Sequence, residues 1–554
     1  MIYSCGDALA QRMTAPGAPF ETIEIGGLEV FRNHPRTLSG FYDVSRRRGA
    51  QRLIEVDGTA FSHDDIFAKV ASLAEHLEAR GVSRSTPVAL ALTAGVEWAV
   101  SFMAVTAIGA IAVLVNTRGS GDEMVHAIRA MDARFLIADA ERRDRLFAEP
   151  DFALDEIIVS DEAGPGTLAD VLAATPSKPF VPCSVAPEDG AIVLFTSGTT
   201  GRPKPVLIDH GAITHSILLA GLMAAVHDIR CEQEFGITVP PERASASAAT
   251  LITSPVFHFS GVMPFLRGLY FGAPLIIMGR WSVDDTLGLM EREAVSRIGF
   301  VPAMLVDMLD SPRSSNDNLG RLLVLANGSA TLDTQVVERV RSRLPHVLLA
   351  NGYGQTESGA WGTAISGQDY LDHPNAVGYV LPTMRLRIVG IDGKDAAPGE
   401  EGEIWLAGRC LMQRYAGAPE ATHKAMRDGW LRTGDVGKID SNGRVFLLDR
   451  LKNMIISGGE NVYCAEVERA LGEHPAVAEA VAYGLPDERL GERVSATVVL
   501  KPGATASAEE LVAHSRARLA GYKIPRTLEF RDTPLPRTST MKIDRGRLNA
   551  ERAR

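Results

Sequence analysis

The chain has 554 residues, of which 45% are hydrophobic and 23% are charged. That length exceeds what one hydrophobic core supports, and it predicts two to four domains with an ordinary soluble composition. The formal net charge of −11 argues against broad nucleic-acid binding and against a polybasic membrane patch, so any anionic ligand must be held by a local site.

The cysteines and the first residues bear on the compartment. No two of the five cysteines have the spacing of a metal-binding or redox pair: Cys5, Cys183, Cys231, Cys410 and Cys464. We expect free thiols in a reducing cytoplasm. Residues 1–10 have neither the basic start nor the apolar run of a signal peptide, so we expect a cytoplasmic protein.

The first quarter of the chain alternates predicted strands and helices. The predicted elements are a hairpin of residues 53–56 and 59–62 around Asp57-Gly58, a helix at 64–80, a strand at 88–92, a helix at 122–131 and a strand at 134–138. Residues 98–115 carry no charge and approach the length of a membrane span, but Gly109 divides them and no basic cluster flanks them. We therefore favour a buried helix–strand pair there, and repeated units of this kind predict a mostly parallel sheet covered by helices.

A polar loop, FTSGTTGRPK at residues 195–204, follows a predicted strand at 191–195 and precedes a predicted helix at 212–223. Its glycines, hydroxyl side chains and Lys204 offer the donors that bind phosphate oxygens. The loop lacks the Gly-Lys-Ser/Thr of a Walker A motif, and a polar turn would have the same composition.

Later segments change in texture. Short strands with glycine turns begin near residue 385 and predict a β-rich subdomain, and after residue 449 the periodicity indicates a small α+β domain. Four more polar loops occur in order: GYGQTES at 352–358, WLRTGD at 430–435, residues 449–468 and residues 535–545. Each alone could be a turn or a solvated charge cluster. Five in this order are much more specific.

The ordered set resembles the adenylate-forming superfamily of acyl-CoA synthetases, nonribosomal-peptide adenylation domains and beetle luciferases, over roughly residues 50–550. The resemblance implies an α/β fold with a large N-terminal domain at 1–451 and a small mobile α+β domain at 452–554. The large domain would contain mostly parallel sheets with helices and a β-rich subdomain. The hinge between the domains would lie near Lys452.

The resemblance also implies a two-step reaction with ATP, Mg²⁺ and coenzyme A. A carboxylate attacks the α-phosphorus of ATP and releases pyrophosphate, and a thiol then attacks the acyl carbon and displaces AMP. Two anions must meet in the first step, so the site needs positive charge and N–H donors at the phosphates.

Individual roles follow from matching positions. The triphosphate would be held by Thr196, Ser197, Gly198, Thr199, Thr200, Gly201 and Lys204. Adenine would be enclosed by Gly328, Ser329, Ala330, Asn351, Gly352 and Tyr353. Gly354 and Gln355 would also contact the nucleotide, and Thr356 would contact phosphate. Ribose would be bound by Asp435 and Arg450, Mg²⁺ by Glu357, and the carboxylate and α-phosphate would be bridged by Lys542. After rotation of the small domain, CoA would meet Ser457, Gly458 and Gly459.

Several positions depart from the family pattern. Met541 replaces the usual glycine before the lysine, Cys464 replaces a proline, and Asn453 replaces an aspartate after the hinge. Ser329 and Thr331 alter a Gly-Gly-Ala-Pro turn. We interpret Cys464 as an inert small residue, because nothing near it in sequence lowers its pKa.

The stretch PVFHFSG at 255–261 bears on the substrate. Amino-acid-activating relatives place an aspartate there, whereas this chain has His258 and Phe259. This favours an apolar acid without an α-amine, first a fatty acid and second an aromatic or alicyclic one. His258, Phe259 and Gly328 would line the acyl pocket, although His258 is equally well explained as a structural histidine.

Four functions remain open from the sequence. The first is an acid–CoA ligase, favoured because no carrier-protein domain follows Lys542. The others are an adenylating enzyme that serves a separate carrier protein, a luciferase-like oxygenase, and a non-catalytic nucleotide- or lipid-binding protein. The last is disfavoured because the charged residues of the motifs are present. The expected partners are small molecules, without nucleic acid or a membrane span, and a homodimer stays open.

Overall fold

A computed structural model describes the chain except for residues 49–51, 56–57, 155, 160–166, 178, 197–202, 242–243, 246, 294, 329–331, 333, 538–542 and 553–554. The helices are α1 Ala8–Thr14, α2 Leu38–Arg48, α3 His63–Ala79, α4 Val96–Ala107, α5 Gly121–Ala130, α6 Ala140–Phe147, α7 Leu168–Ala173, α8 His210–Phe235, α9 Phe259–Phe271, α10 Val283–Arg292, α11 Pro302–Asp310, α12 Asn316–Leu319, α13 Thr334–Arg343, α14 Gln368–Asp372, α15 Pro419–Ala425, α16 Cys464–Gly472, α17 Ala508–Arg516 and α18 Arg545–Arg552.

The strands up to the middle of the chain are β1 Thr22–Ile25, β2 Leu28–Phe31, β3 Arg52–Glu55, β4 Ala60–Ser62, β5 Pro87–Ala91, β6 Ile111–Leu114, β7 Phe135–Ala138, β8 Glu156–Val159, β9 Gly190–Thr196, β10 Lys204–Asp209, β11 Thr250–Ile252, β12 Leu275–Ile277, β13 Arg297–Phe300 and β14 Val324–Asn327. Those that follow are β15 Leu348–Tyr353, β16 Thr363–Ser366, β17 Ala376–Val380, β18 Met384–Val389, β19 Gly402–Gly408, β20 Arg414–Tyr415, β21 Met426–Arg427, β22 Trp430–Ile439, β23 Val445–Arg450, β24 Ile455–Ser457, β25 Glu460–Val462, β26 Val477–Asp487, β27 Gly491–Leu500 and β28 Thr527–Phe530.

The first large sheet has seven strands in the order β20-β10-β9-β6-β5-β7-β8. The strands from β9 to β8 are parallel, as the alternation of elements predicts. The uncharged run at 98–115 is a buried helix–strand pair, α4 and β6, joined at Gly109 with φ +75°. The prediction of such a pair is therefore confirmed.

The predicted strand at 191–195 and the predicted helix at 212–223 are present as β9 and α8, but one strand beside the polar loop was not predicted. Residues 204–209 form β10, antiparallel to β9. The loop is therefore the connection of a hairpin, and α8 begins only at His210, where the Asp209 side chain accepts from the amide of Ala212 at 2.7 Å. The run KPVLID at residues 204–209 is too short for its periodicity to distinguish a strand from a helix.

The second large sheet has ten strands and carries most of the predicted loops. Its main order is β13-β14-β15-β16-β17-β23-β22-β19-β18, with β21 paired to β22. Strands β13 to β15 are parallel and the others are antiparallel. The predicted β-rich stretch therefore continues the same sheet. A four-stranded sheet, β11-β12-β3-β4, contains the predicted hairpin of β3 and β4, whose turn residue Asp57 lies outside the described residues.

The C-terminal part is a small α+β unit with a five-stranded sheet and its own apolar core. This confirms the α/β fold with a large N-terminal and a smaller C-terminal domain. The hydroxyl of Tyr463 in this unit donates to Glu401 in the large domain at 2.6 Å. The exact boundary at Lys452 stays a prediction.

Within the described part of the chain, one helix, α8, is long and apolar enough to cross a membrane, and 72% of its most apolar window is buried inside the protein. The five cysteines are free thiols, as expected.

Candidate functional site

Glu357 is the centre of the first group of predicted site residues. It follows β15, is 7% exposed, and accepts at Oε1 from the hydroxyl of Tyr415 at 2.7 Å and from that of Thr196 at 3.3 Å. The amine of Lys204 lies 5.3 Å from the centre of the Tyr415 ring. Thr196 and Lys204, at the two ends of the predicted phosphate loop, therefore lie close to the predicted metal-binding carboxylate.

Strand pairing explains why this group forms. Val206 of β10 pairs with Tyr415 of β20, so the tyrosine is placed beside the hairpin that carries Thr196 and Lys204. The amide of Met412 donates to the carbonyl of Glu357 at 2.8 Å and fixes its backbone. The intervening predicted phosphate ligands lie outside the described residues: Ser197, Gly198, Thr199, Thr200 and Gly201.

Asp435 is the centre of a second group. It is 2% exposed and accepts from the hydroxyl of Tyr353 at 2.7 Å and from Nε of Arg450 at 2.7 Å. Burial and the Asp435 charge raise the pKa of Tyr353 well above its usual value, so this hydroxyl stays a donor. The predicted adenine residue and the two predicted ribose residues are thus joined in one chain of contacts.

Backbone contacts hold the strand that carries Asp435. Glu403 accepts from the amide of Gly434 at 3.2 Å, and the hydroxyl of Thr433 donates to the carbonyl of Ile404 at 2.7 Å. Gly434 has φ +70°, a conformation that favours glycine. Gln355 extends its amide toward the carbonyl of Thr433 at 3.4 Å, which ties this strand to the segment of Tyr353 and Glu357.

The predicted adenine wall is only partly described. Nδ2 of Asn327 donates to Oδ1 of Asn351 at 2.9 Å, and both are buried. A Cβ at Gly354 would lie 2.4 Å from the backbone of Ala360, so only glycine fits there. A Cβ at Gly328 would meet no described residue within 4 Å, and Ser329 and Ala330 lie outside the described residues.

Comparison with known proteins decides the family. The profile of the AMP-binding enzyme family matches residues 41–416, and that of the AMP-binding enzyme C-terminal domain matches residues 466–542. The chain belongs to the AMP-binding enzyme family. The resemblance to adenylate-forming enzymes of the acyl-CoA synthetase type is thereby confirmed.

Two relatives of this AMP-binding enzyme are named for the formation of CoA thioesters. This chain is 32% identical to a feruloyl-CoA synthase of Amycolatopsis sp over 510 residues. The match covers 92% of this chain and 97% of that protein. This chain is 30% identical over 480 residues to a long-chain-fatty-acid–CoA ligase of Mycobacterium tuberculosis, covering 85% and 89%. The expected class, an acid–thiol ligase, is confirmed.

A solved structure of an o-succinylbenzoate CoA synthetase from Bacillus subtilis, in complex with its acyl-adenylate intermediate, has the same fold. The TM-score is 0.77 with 28% sequence identity, over 92% of this chain and 97% of that one.

Magnesium fits the chemistry of Glu357. Mg²⁺ usually keeps several waters and takes one or two protein carboxylates together with substrate phosphates. Among the described residues there is no group of three or more His, Cys, Asp or Glu that would hold a metal by itself. Glu357, a single buried carboxylate beside the predicted phosphate loop, matches this preference.

The predicted hinge residue and the predicted CoA residues of this AMP-binding enzyme lie between residues 452 and 459, at the start of the small domain. Lys452 lies at the surface in a short 3-10 turn, and loss of water around its amine, together with Arg450 and Arg545, lowers its pKa. Ser457 ends β24, and Gly458 and Gly459, with φ +63° and +86°, form the two-residue turn to β25. Lys542 and Met541 lie outside the described residues.

Two departures from the family pattern are accommodated locally. Cys464 is buried at the start of α16 and donates to the carbonyl of Asn453 at 2.9 Å. Burial raises the pKa of this thiol to about 12, which agrees with the interpretation of an inert residue. Thr331 lies outside the described residues.

The predicted acyl-pocket residues differ in surroundings. Phe259 is buried in the main apolar core at the start of α9. His258 precedes it, with its ring 4.6 Å from that of Phe257. Gly328 instead follows β14 at the carboxyl edge of the ten-stranded sheet.

Tyr415 was not among the predicted residues, although it contacts both Glu357 and Lys204. It stands in QRYAG, residues 413–417, where nothing in the local pattern points to a phosphate site. The pairing of β20 with β10 that brings it there joins segments about two hundred residues apart, and no short motif encodes such a pairing.

Proposed function

We propose that this AMP-binding enzyme is an acid–CoA ligase that activates an apolar carboxylic acid with ATP and transfers the acyl group to CoA, releasing AMP and pyrophosphate. One observation carries the proposal. The Tyr353–Asp435–Arg450 chain and the Glu357–Thr196–Tyr415 group meet on one short segment, residues 353–357 at the end of β15, so the predicted sugar and phosphate contacts are contiguous.

Each described group has a chemical role in this reaction. Thr196 and Lys204 would bind the triphosphate together with loop residues 197–201, and Thr356 would contact phosphate. The donors and positive charge offset the repulsion between the two anions that must meet. Asp435 and Arg450 would bind ribose, and Asn351, Gly352 and Tyr353 would border adenine. Bound at Glu357, Mg²⁺ would supply positive charge for the phosphates.

The small domain would act twice. We propose that Lys542 bridges the carboxylate and the α-phosphate in the first step, and that rotation near Lys452 then brings Ser457, Gly458 and Gly459 to the thiol of CoA. In this proposal the domains are residues 1–451 and 452–554. A hinge of this kind absorbs the backbone change in a few residues at the end of a secondary-structure element. Lys452 has such a position, in the short turn that follows β23.

The acid is apolar in this proposal because the PVFHFSG stretch, residues 255–261, has His258 and Phe259 and no aspartate for an α-amine. The fatty acid expected from the sequence and a cyclic acid are both supported, since the relatives described above include enzymes named for each. In this proposal the thiol acceptor is free CoA and the site of action is the cytoplasm.

The test is release of AMP and pyrophosphate from ATP over a panel of fatty and cyclic acids, with and without CoA. Turnover that requires both an acid and CoA supports the ligase. Pyrophosphate exchange that CoA leaves unchanged would instead identify a carrier protein as acceptor. Lys542→Ala should abolish adenylate formation far more than ATP binding, whereas Lys394→Ala, at an exposed lysine beside Asp392, should change neither. Near-normal adenylation by the Lys542 variant would refute its role.

A further inference from the structure

Arg297 is a buried arginine whose hydrogen-bonding capacity is only partly used. It begins β13, its side chain is 11% exposed, and its Nη2 pairs with Asp228 of α8. Its Nε and Nη1 are buried and have no hydrogen-bond partner among the described residues. Because an unsatisfied buried donor is unfavourable, two of them on one side chain call for a partner.

The position of Arg297 on the sheet suggests where that partner comes from. Side chains alternate along a strand, so Arg297 shares a face with Gly299, which pairs with Ala326 of β14, and Gly328 follows on the same face. A Cβ at Gly299 or at Gly328 would meet no described residue within 4 Å, and Gly299 is exposed within its strand. As far as the described residues show, this face therefore has room at these two glycines, which lie between Arg297 and the carboxyl edge of the sheet.

The distance and the walls fit the apolar part of an acid. Arg297 is three residues before the end of β13, about 10 Å at the usual rise of a strand. An apolar cluster on the same side includes Cys231 of α8, Val324, Leu348 and Ala350. An acid that reacts at the sheet edge would thus extend between apolar side chains toward the guanidinium.

Charge balance restricts the polar group that the guanidinium would meet. Arginine has only donors, so its partner must be an acceptor. Asp228, whose other oxygen accepts from the amide of Ser245 at 2.9 Å, already balances the positive charge. A second carboxylate would leave a net negative charge in a buried place, whereas a neutral carbonyl oxygen would not.

We propose that the acid carries a neutral hydrogen-bond acceptor, such as a ketone oxygen, at the end remote from its carboxylate, and that Arg297 binds this oxygen through Nε and Nη1. This inference rests on the proposed ligase function and narrows its substrate class. It makes Arg297 a specificity-determining residue for acids with a distal oxygen.

The experiment compares a cyclic keto acid with the same acid in which a methylene replaces the ketone, using the full chain with ATP and CoA. Wild type should prefer the keto acid in kcat/KM by about tenfold to a hundredfold, the range for a buried hydrogen bond. Arg297→Met should lose this preference. Arg339→Met is the matched control, because Arg339 of α13 forms an exposed ion pair with Asp310 of α11. This control variant should keep the preference for the keto acid.

Equal kcat/KM of wild type for the two acids would overturn the inference, and this comparison needs no variant to fold. A preference retained in Arg297→Met, or a dicarboxylic acid used better than the keto acid, would overturn it as well. If no acid is turned over with CoA, the ligase function fails separately. The inference is then decided by binding: the keto acid, and not its methylene analogue, should raise the melting temperature of wild type, and equal shifts would refute it.

Discussion

The hydroxyl of Tyr415 donates a 2.7 Å hydrogen bond to Oε1 of Glu357, across 58 residues of chain. The same ring lies beneath the amine of Lys204, 5.3 Å from its centre. Burial and the neighbouring carboxylate raise the pKa of Tyr415, so the phenol stays protonated and keeps donating. One side chain therefore positions both the proposed metal ligand and the proposed phosphate-binding lysine.

Tyr415→Phe removes this donor and leaves Oε1 of Glu357 with the longer contact from Thr196 at 3.3 Å. A hydrogen bond to a charged group is worth about 1.5–3 kcal/mol, so we expect adenylation at limiting Mg²⁺ to fall at least about tenfold. The Mg²⁺ concentration that gives half-maximal pyrophosphate exchange should rise. Tyr483→Phe, which removes a hydroxyl bonded to Glu529 in the small domain, is the control. An unchanged Mg²⁺ dependence would show that Tyr415 does not position the carboxylate.

Asp435→Ala should weaken both folding and nucleotide binding. It leaves the buried hydroxyl of Tyr353 without its acceptor, which costs about 1–3 kcal/mol, whereas the half-exposed Arg450 can regain water. We expect a lower free energy of unfolding in urea and AMP binding weakened at least about tenfold, measured by calorimetry. Asp392→Ala, at an exposed partner of Lys394, serves as the control. Wild-type AMP affinity in the Asp435 variant would contradict the assignment of ribose binding.

The motifs of the candidate site were predictable because each is a short run of suitable residues. Their mutual contacts were not. Asp435 of β22 pairs with Arg450 of β23 because of the register of these two antiparallel strands. The sequence pattern does not predict this register. The strand at 204–209 was missed for a related reason, since its sheet partner β9, rather than its local period, decides its conformation. The parallel units and the small α+β domain were predictable from periodicity over longer segments.

Buried neutral histidines make the stability depend on pH. Burial lowers the pKa of His215 to about 3, and its Nε2 contacts the hydroxyl of Thr383 at 2.8 Å. Below the ordinary pKa of 6.5, His215 is protonated in the unfolded chain but stays neutral in the folded chain. The free energy of unfolding therefore falls as the pH falls from about 6.5 toward 3. At pH 5 this one histidine lowers the free energy of unfolding by about 2 kcal/mol.

His215→Gln removes the group that binds this proton in the unfolded chain and keeps a polar side chain near Thr383. We expect the loss of unfolding free energy between about pH 7 and pH 5 to be smaller by about 2 kcal/mol than in wild type, measured by urea unfolding at each pH. His423→Gln, at an exposed position on α15, should retain the wild-type slope. Parallel pH profiles of wild type and His215→Gln would show that this histidine is not the source of the acid sensitivity.

Gly459→Ala tests the proposed CoA contact of the small domain. Gly459 has φ +86° in the turn from β24 to β25, and a Cβ there would meet none of the described residues within 4 Å, so the substitution adds backbone strain of about 1–2 kcal/mol without a clash among them. Gly503→Ala is a matched control, because Gly503 has φ +76° and equally open surroundings in the same domain. Both variants should lose similar stability, but only Gly459→Ala should slow CoA-dependent thioester formation, while pyrophosphate exchange stays near wild type in both. Equal slowing of the thioester step in the two variants would attribute the effect to domain stability and remove the 458–459 turn from the CoA site.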